Sequence, residues 1–153
     1  MDTNEVDNII NSSRVYTIER AVSNFSFTTP IVNNNILKNV TIKWANEIVL
    51  ETWSGSFISP AEVLSHECDH AYRAETDIEG LLKDLATGVD RYGNLEEFRV
   101  IRGSERNVAE KLGKLGGLRY GRFSHDCKNF YRAVGVRGDY LKNEIECIYK
   151  IPQ

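Results

Sequence analysis

Cysteine is scarce and unpaired in this chain. Cys68, Cys127 and Cys147 are an odd number, separated by 59 and 20 positions, with no CxxC pair among 153 residues. That excludes a disulfide framework and leads us to expect free thiols in a reducing compartment. Long apolar runs are also missing: nothing approaches the ~18–20 residues of a membrane span. Residues 1–14 (MDTNEVDNIINSSR) carry neither a basic n-region nor an apolar core, so neither an integral membrane protein nor a Sec substrate is expected. Only three prolines occur, with no Pro/Ser-rich linker, no repeat and no low-complexity block beyond Asn33-Asn34-Asn35. One domain, residues 15–153, preceded by a polar lead-in at 1–14, is the simplest partition.

What is present suits a globular domain. Hydrophobic residues make up 41% and charged residues 27%, which argues against disorder or a rod. A chain of this length can bury roughly 68–70% of its unfolded surface. The net charge of −3 conceals an asymmetry, because residues 99–142 hold 11 Lys/Arg against 4 Asp/Glu. Such a basic region either pairs internally with the acidic remainder or steers an acidic partner.

Arg14–Val22 and Ile36–Trp53 are rich in β-branched and aromatic residues and read as β, the second as a hairpin turning near Ala45-Asn46. Ile145–Ile151 alternates at period two and reads as a third strand. The middle is helical. Ser59-Pro60-Ala61-Glu62 supplies a capping hydroxyl, a first-turn proline and a glutamate at the third position, so a helix is predicted from Pro60 to about Glu75. Val63, Leu64, Cys68, Ala71 and Ala74 form its core side. Further helices are predicted over Leu95–Arg102, with Leu95, Phe98 and Ile101 as the apolar side, and from Ser104 to about Leu112, before the Gly113 and Gly116-Gly117 stops. Strands, then helices, then a strand point to an α+β fold.

The first helix carries His66-Glu67-Cys68-Asp69-His70, an HExxH arrangement. Chance alone would produce about 0.004 such matches in a chain of this composition. Histidines four apart lie on one helix face, so both imidazoles can converge on one ion. Glu67, rotated by roughly 100°, is not aimed at the ion but is suited to act as general base on a water in its open position. Cys68, about 160° from the histidine face, is read as core.

A catalytic zinc site takes three protein ligands as a rule. The extended metzincin pattern would require glycine and histidine where this chain has Arg73 and Thr76, which excludes that class. Glu96 and Glu97 on the following helix are the natural third-ligand candidates, completing a gluzincin type of site. Glu96 is favoured because Leu95, Phe98 and Ile101 place it beside the core; Asp77, Asp90 and His125 remain alternatives. A donor must also reach the developing oxyanion, for which Tyr120, Arg119 and His125 are the candidates.

HECDHAYRA followed by NLEEFRVIRGSERNVAEKLGKLGGLRY resembles the NleD-like secreted effector metallopeptidases of bacteria, in which an HExxHA helix precedes an EE-containing helix, an Asn-containing helix and a Leu-Arg-x-x-Tyr-like segment. The likeness covers about residues 58–123. It implies a zincin-like α+β fold, Zn²⁺ as cofactor, His66 and His70 as ligands with one of Glu96 and Glu97, Glu67 as catalytic base, and Asn107 in the matched Asn-containing helix. It further implies a toxin domain delivered without a Sec signal, acting on a protein substrate in target-cell cytoplasm, with a delivery or immunity protein as partner. Two other readings come from the residues themselves. One is a metal-containing module docking nucleic acid or an acidic protein through the basic region, although no RNP-like or GXXG motif accompanies it. The other is a metal-dependent hydrolase of a non-protein amide or ester.

Overall fold

A computed structural model describes residues 5–23, 25–33, 36–111, 122–133 and 148–150. The architecture is mixed α+β. A short helix α1 (Glu5–Ile10) leads into β1 (Tyr16–Arg20), β2 (Phe27–Asn33), β3 (Ile36–Trp44), β4 (Ile48–Glu51) and β5 (Phe57–Ile58). Helices α2 (Pro60–Thr76) and α3 (Ile78–Leu85) follow, then the small hairpin β6 (Gly88–Val89) and β7 (Gly93–Asn94). Helix α4 (Leu95–Val100), a π-helical turn (Ile101–Glu105), α5 (Arg106–Lys111), β8 (Asn129–Ala133) and β9 (Ile148–Lys150) complete the described chain.

Two sheets flank α2. In the first, β3 lies between β1, parallel to it, and β2, antiparallel to it. The second runs β5-β4-β8-β9 with antiparallel pairing throughout. The hairpin expected within Ile36–Trp53 is therefore not formed: β3 and β4 belong to different sheets. The corner between them is fixed by backbone bonds in which Ala21 N–H donates to Trp44 O (2.9 Å) and Ile48 N–H donates to Ala45 O (3.1 Å). Ser26 Oγ accepts the Ala45 N–H at 2.9 Å. A turn signal alone cannot say whether the chain folds back or changes sheets.

The core fills the space between the first sheet and α2. Leu37, Val40 and Ile42 of β3 pack on Cys68, Ala71 and Ala74 of α2 and on Leu81 of α3. Two alanines on the inner side of α2 let the helix axis approach the sheet closely, and the removal of this apolar surface from water is the main stabilising term. Cys68 is buried here, as its position on the helix predicted. The reciprocal capping box is also present: Glu62 N–H donates to Ser59 Oγ (3.3 Å) and Ser59 N–H to the Glu62 carboxylate (2.7 Å).

Other features departed from expectation. The polar lead-in is docked: Ile9 packs against the core, and Ser12, Arg14 and Tyr16 converge on Glu75 near the end of α2. Strand β2 was missed because Pro30 lies within it; the proline occupies an edge strand, where no inward N–H is required. Helix α3 was missed because its cap is Asp77, whose side chain accepts from Gly80 N–H at 2.9 Å. Within Ile145–Ile151 the structure describes β9 only. No helix among the described residues is long and apolar enough to cross a membrane.

Candidate metal centre

Helix α2 presents His66 and His70 on the side away from the apolar core, and α4 packs beside it. The start of α4 is set by Asn94, whose side chain accepts from Glu97 N–H at 2.9 Å. Just upstream, Gly93 sits at φ 84° in the hairpin that aims the helix, a backbone conformation that favours glycine. The preceding Arg91 carbonyl accepts the His125 N–H at 2.9 Å, which brings the segment carrying His125 to the same place.

Three ligand-type groups meet there: the imidazoles of His66 and His70 and the carboxylate of Glu97. The two Nε2 atoms are 3.0 Å apart; Glu97 Oε2 lies 3.1 Å from that of His66 and Glu97 Oε1 3.3 Å from that of His70. A zinc ion about 2.0–2.1 Å from each of three tetrahedral ligands would space those atoms by about 3.3 Å. The cluster is close to that size. Glu97 Oε2 is moreover buried with no hydrogen-bond donor aimed at it, a costly state for a carboxylate oxygen unless a cation satisfies it.

The opposite edge of each imidazole is held by a second carboxylate. His70 Nδ1 donates to Glu96 Oε1 at 3.0 Å, and His66 Nδ1 to Glu105 Oε2 at 3.0 Å. An ionised carboxylate only accepts, so these bonds place a proton on Nδ1 of each ring and leave the Nε2 lone pairs to converge. Both carboxylates are themselves anchored. Arg99 donates to Glu96 (2.7 and 3.0 Å) and also to Asp69, while Arg122 donates to Glu105 (2.7, 2.9 and 3.1 Å) and to the His125 carbonyl (3.0 Å).

The preference for Glu96 as third ligand is thus corrected. Glu96 is fully buried behind His70, and its neighbour Glu97 faces the converging nitrogens. The expected inner face of α4 was apolar, yet Phe98 is 39% exposed and the seam is filled by the Glu96–Arg99–Asp69 ion network. Asp77 caps α3, and Asp90 is solvent-exposed beside Arg91. His125 stands at the rim of the centre, with Nε2 3.5 Å from Glu97 Oε2; burial, with the Arg122 and His66 charges, pushes its pKa down despite Glu97. Tyr120 and Arg119 lie outside the described residues.

Glu105, Arg122, Arg99 and Asp69 were not found from sequence. Residues nine apart on a regular α-helix sit about half a turn from each other, so Glu105 would face away from Glu96. The π-helical turn at Ile101–Glu105 inserts extra rotation and returns Glu105 to the histidine side. Arg99 and Arg122 had counted toward a basic surface, but both are spent on buried carboxylates. Arg106, Lys128 and Arg132 likewise face Glu110, Glu51 and Glu47.

Glu67 projects to one side of the centre. Its Oε2 accepts from Thr28 Oγ1 of β2 at 2.8 Å, and it lines, together with His66, His125 and Arg122, a cleft of about 540 Å³ between α2 and the second sheet. No family model, no curated protein and no solved structure matches this chain.

The electrostatics of the metal-free centre give a pH signature. Burial pushes His70 down, but Glu96 and Glu97 outweigh it and lift its pKa from 6.5 to about 10; His66 is raised in the same way, against burial, by Glu105 and Glu97. Burial pushes Glu96 up, but His70 and Arg99 prevail and draw it from 4.5 to about 2; Glu97 is lowered against burial by both histidines. The histidine contribution to stability is complete below pH 6.5 and lost as pH rises toward 10, and the Glu96 contribution is complete above pH 4.5 and lost as pH falls toward 2. Metal-free protein should therefore have its highest Tm between these limits. Zinc requires deprotonated Nε2 atoms, so its stabilising effect should be larger near about pH 8 than about pH 6. Thermal denaturation across pH, with and without zinc, measures both; a zinc shift that shrinks with rising pH would count against this centre.

Proposed function

We propose that the chain is a zinc-dependent peptidase of the zincin type, with His66, His70 and Glu97 as metal ligands and Glu67 as general base. The observation that carries this reading is the convergence of two Nε2 atoms and an otherwise unsatisfied Glu97 oxygen next to a cleft that Glu67 also lines. Zinc, when bound, would supply Lewis acidity that polarises a carbonyl and lowers the pKa of a water. The chain's residues would do the rest.

Glu67 would take a proton from the attacking water and pass it to the leaving amine, a role for which Thr28 fixes the carboxylate without neutralising it. Glu96 and Glu105 would hold the imidazoles in the tautomer that offers Nε2 to the ion. His125, neutral at the rim, would be the candidate donor toward the oxyanion. The likeness of residues 58–123 to secreted effector peptidases supports a protein substrate in a target cell, and the cleft is of a size that admits a peptide segment.

Chelation tests the reading. A proteome digest by purified protein should yield defined new termini, lose them on zinc removal, and regain them on adding about one zinc per chain. Cleavage that persists after complete zinc removal would overturn it.

A further inference from the structure

The cleft beside Glu67 is two-sided in chemistry. One end holds His66, Glu67 and His125. The other is walled by Ile48 and Leu50 of β4, Phe130 of β8, Val63 of α2, Phe25 and Trp53. Phe25 and Phe130 stack edge to face with centroids 5.0 Å apart, so this wall is a packed aromatic surface. Yet Phe25 is 61% and Trp53 69% exposed. Large apolar groups left open at the mouth of a cavity are a cost that folding alone does not explain, and such openings mark where an apolar group is bound. The nearest polar reactive groups are those of the metal centre, so whatever occupies the wall is presented to Glu67.

We infer that this wall is a specificity subsite that takes a bulky apolar side chain, aromatic or large aliphatic, next to the scissile bond of a peptide substrate. The inference rests on the peptidase reading for the word scissile, but the binding it describes does not require turnover. A subsite without a fixed charge discriminates by area removed from water, so acidic side chains of the same substrates are disfavoured by the cost of burying them unpaired. Trp53 and Phe130 are the specificity-determining residues because they come from different strands and loops and close the wall from two sides.

Two measurements test it. Trp53→Ala and Phe130→Ala should each lower kcat/KM about 10-fold or more for peptides with Phe or Leu flanking the cut, mostly through KM. Glu67→Gln protein titrated with acetyl-Gly-Phe-Gly-amide should show a blue shift of tryptophan emission that acetyl-Gly-Asp-Gly-amide does not cause and that Trp53→Phe removes. Cleavage by wild type with no apolar preference at either flanking position, or an equal response to the two peptides, overturns the subsite. A Trp53 response to the Phe peptide in a protein that cuts nothing would sink the peptidase reading and leave the apolar subsite standing. Trp53→Phe, which conserves an aromatic ring, should retain most of the preference and shows that a loss in Trp53→Ala is not misfolding.

Discussion

Glu67→Gln is expected to keep about one zinc per chain and to lower kcat by about 10²–10⁴-fold, the usual contribution of a positioned general base. The ligand atoms belong to His66, His70 and Glu97, none of which the substitution touches. The Thr28 hydroxyl that donates to Glu67 Oε2 at 2.8 Å can donate equally to the glutamine carbonyl, so the local fold is preserved while the proton acceptor is gone. His66→Ala should instead lose zinc and activity together. Elemental analysis and turnover measured on the same preparations separate the two outcomes. Equal turnover by wild type and Glu67→Gln would remove Glu67 from the chemistry and favour a metal-containing binding module.

The second large effect divides the adjacent glutamates. Glu97→Ala deletes one of three ligands and should weaken zinc binding by more than 100-fold, whereas Glu96→Gln and Glu105→Gln should each cost about 10–100-fold, as befits residues that orient a ligand without touching the ion. Glutamine is the informative replacement at those two positions, because it still accepts the Nδ1 proton and does not open a cavity among Arg73, Arg99 and Arg122. Zinc dissociation constants from competition with a chromogenic chelator give the order. A larger loss for Glu96→Gln than for Glu97→Ala would return the ligand role to Glu96 and contradict the geometry of the centre.

The two glutamates also mark the limit of sequence reasoning. Neighbours on a helix diverge by roughly 100°, so it was legible that they would split into different roles. The direction of the split was not. It depended on which face of α4 meets α2, and hydrophobic periodicity misread that face because buried ion pairs, not apolar side chains, fill part of the seam. Glu105 shows the same limit more sharply: only the π-helical turn makes it a partner of His66, and no composition or spacing signal in Arg102-Gly103-Ser104-Glu105 announces that extra rotation.

By itself the sequence determined the features that depend on near neighbours: the α+β order of elements, the capped start of α2 at Ser59, the burial of Cys68, and the placing of His66 and His70 on one helix face. These follow from helix geometry and capping chemistry, which act within a few residues. Tertiary structure alone decided that β3 and β4 part into different sheets, that Glu97 faces the paired Nε2 atoms, that Arg99 and Arg122 are consumed by buried carboxylates, and that Phe25, Trp53 and Phe130 share one wall with Glu67. Each of these is a contact between groups far apart in the chain or a choice between faces of an element, fixed by how whole elements pack, and packing energy is a property of the assembled surfaces.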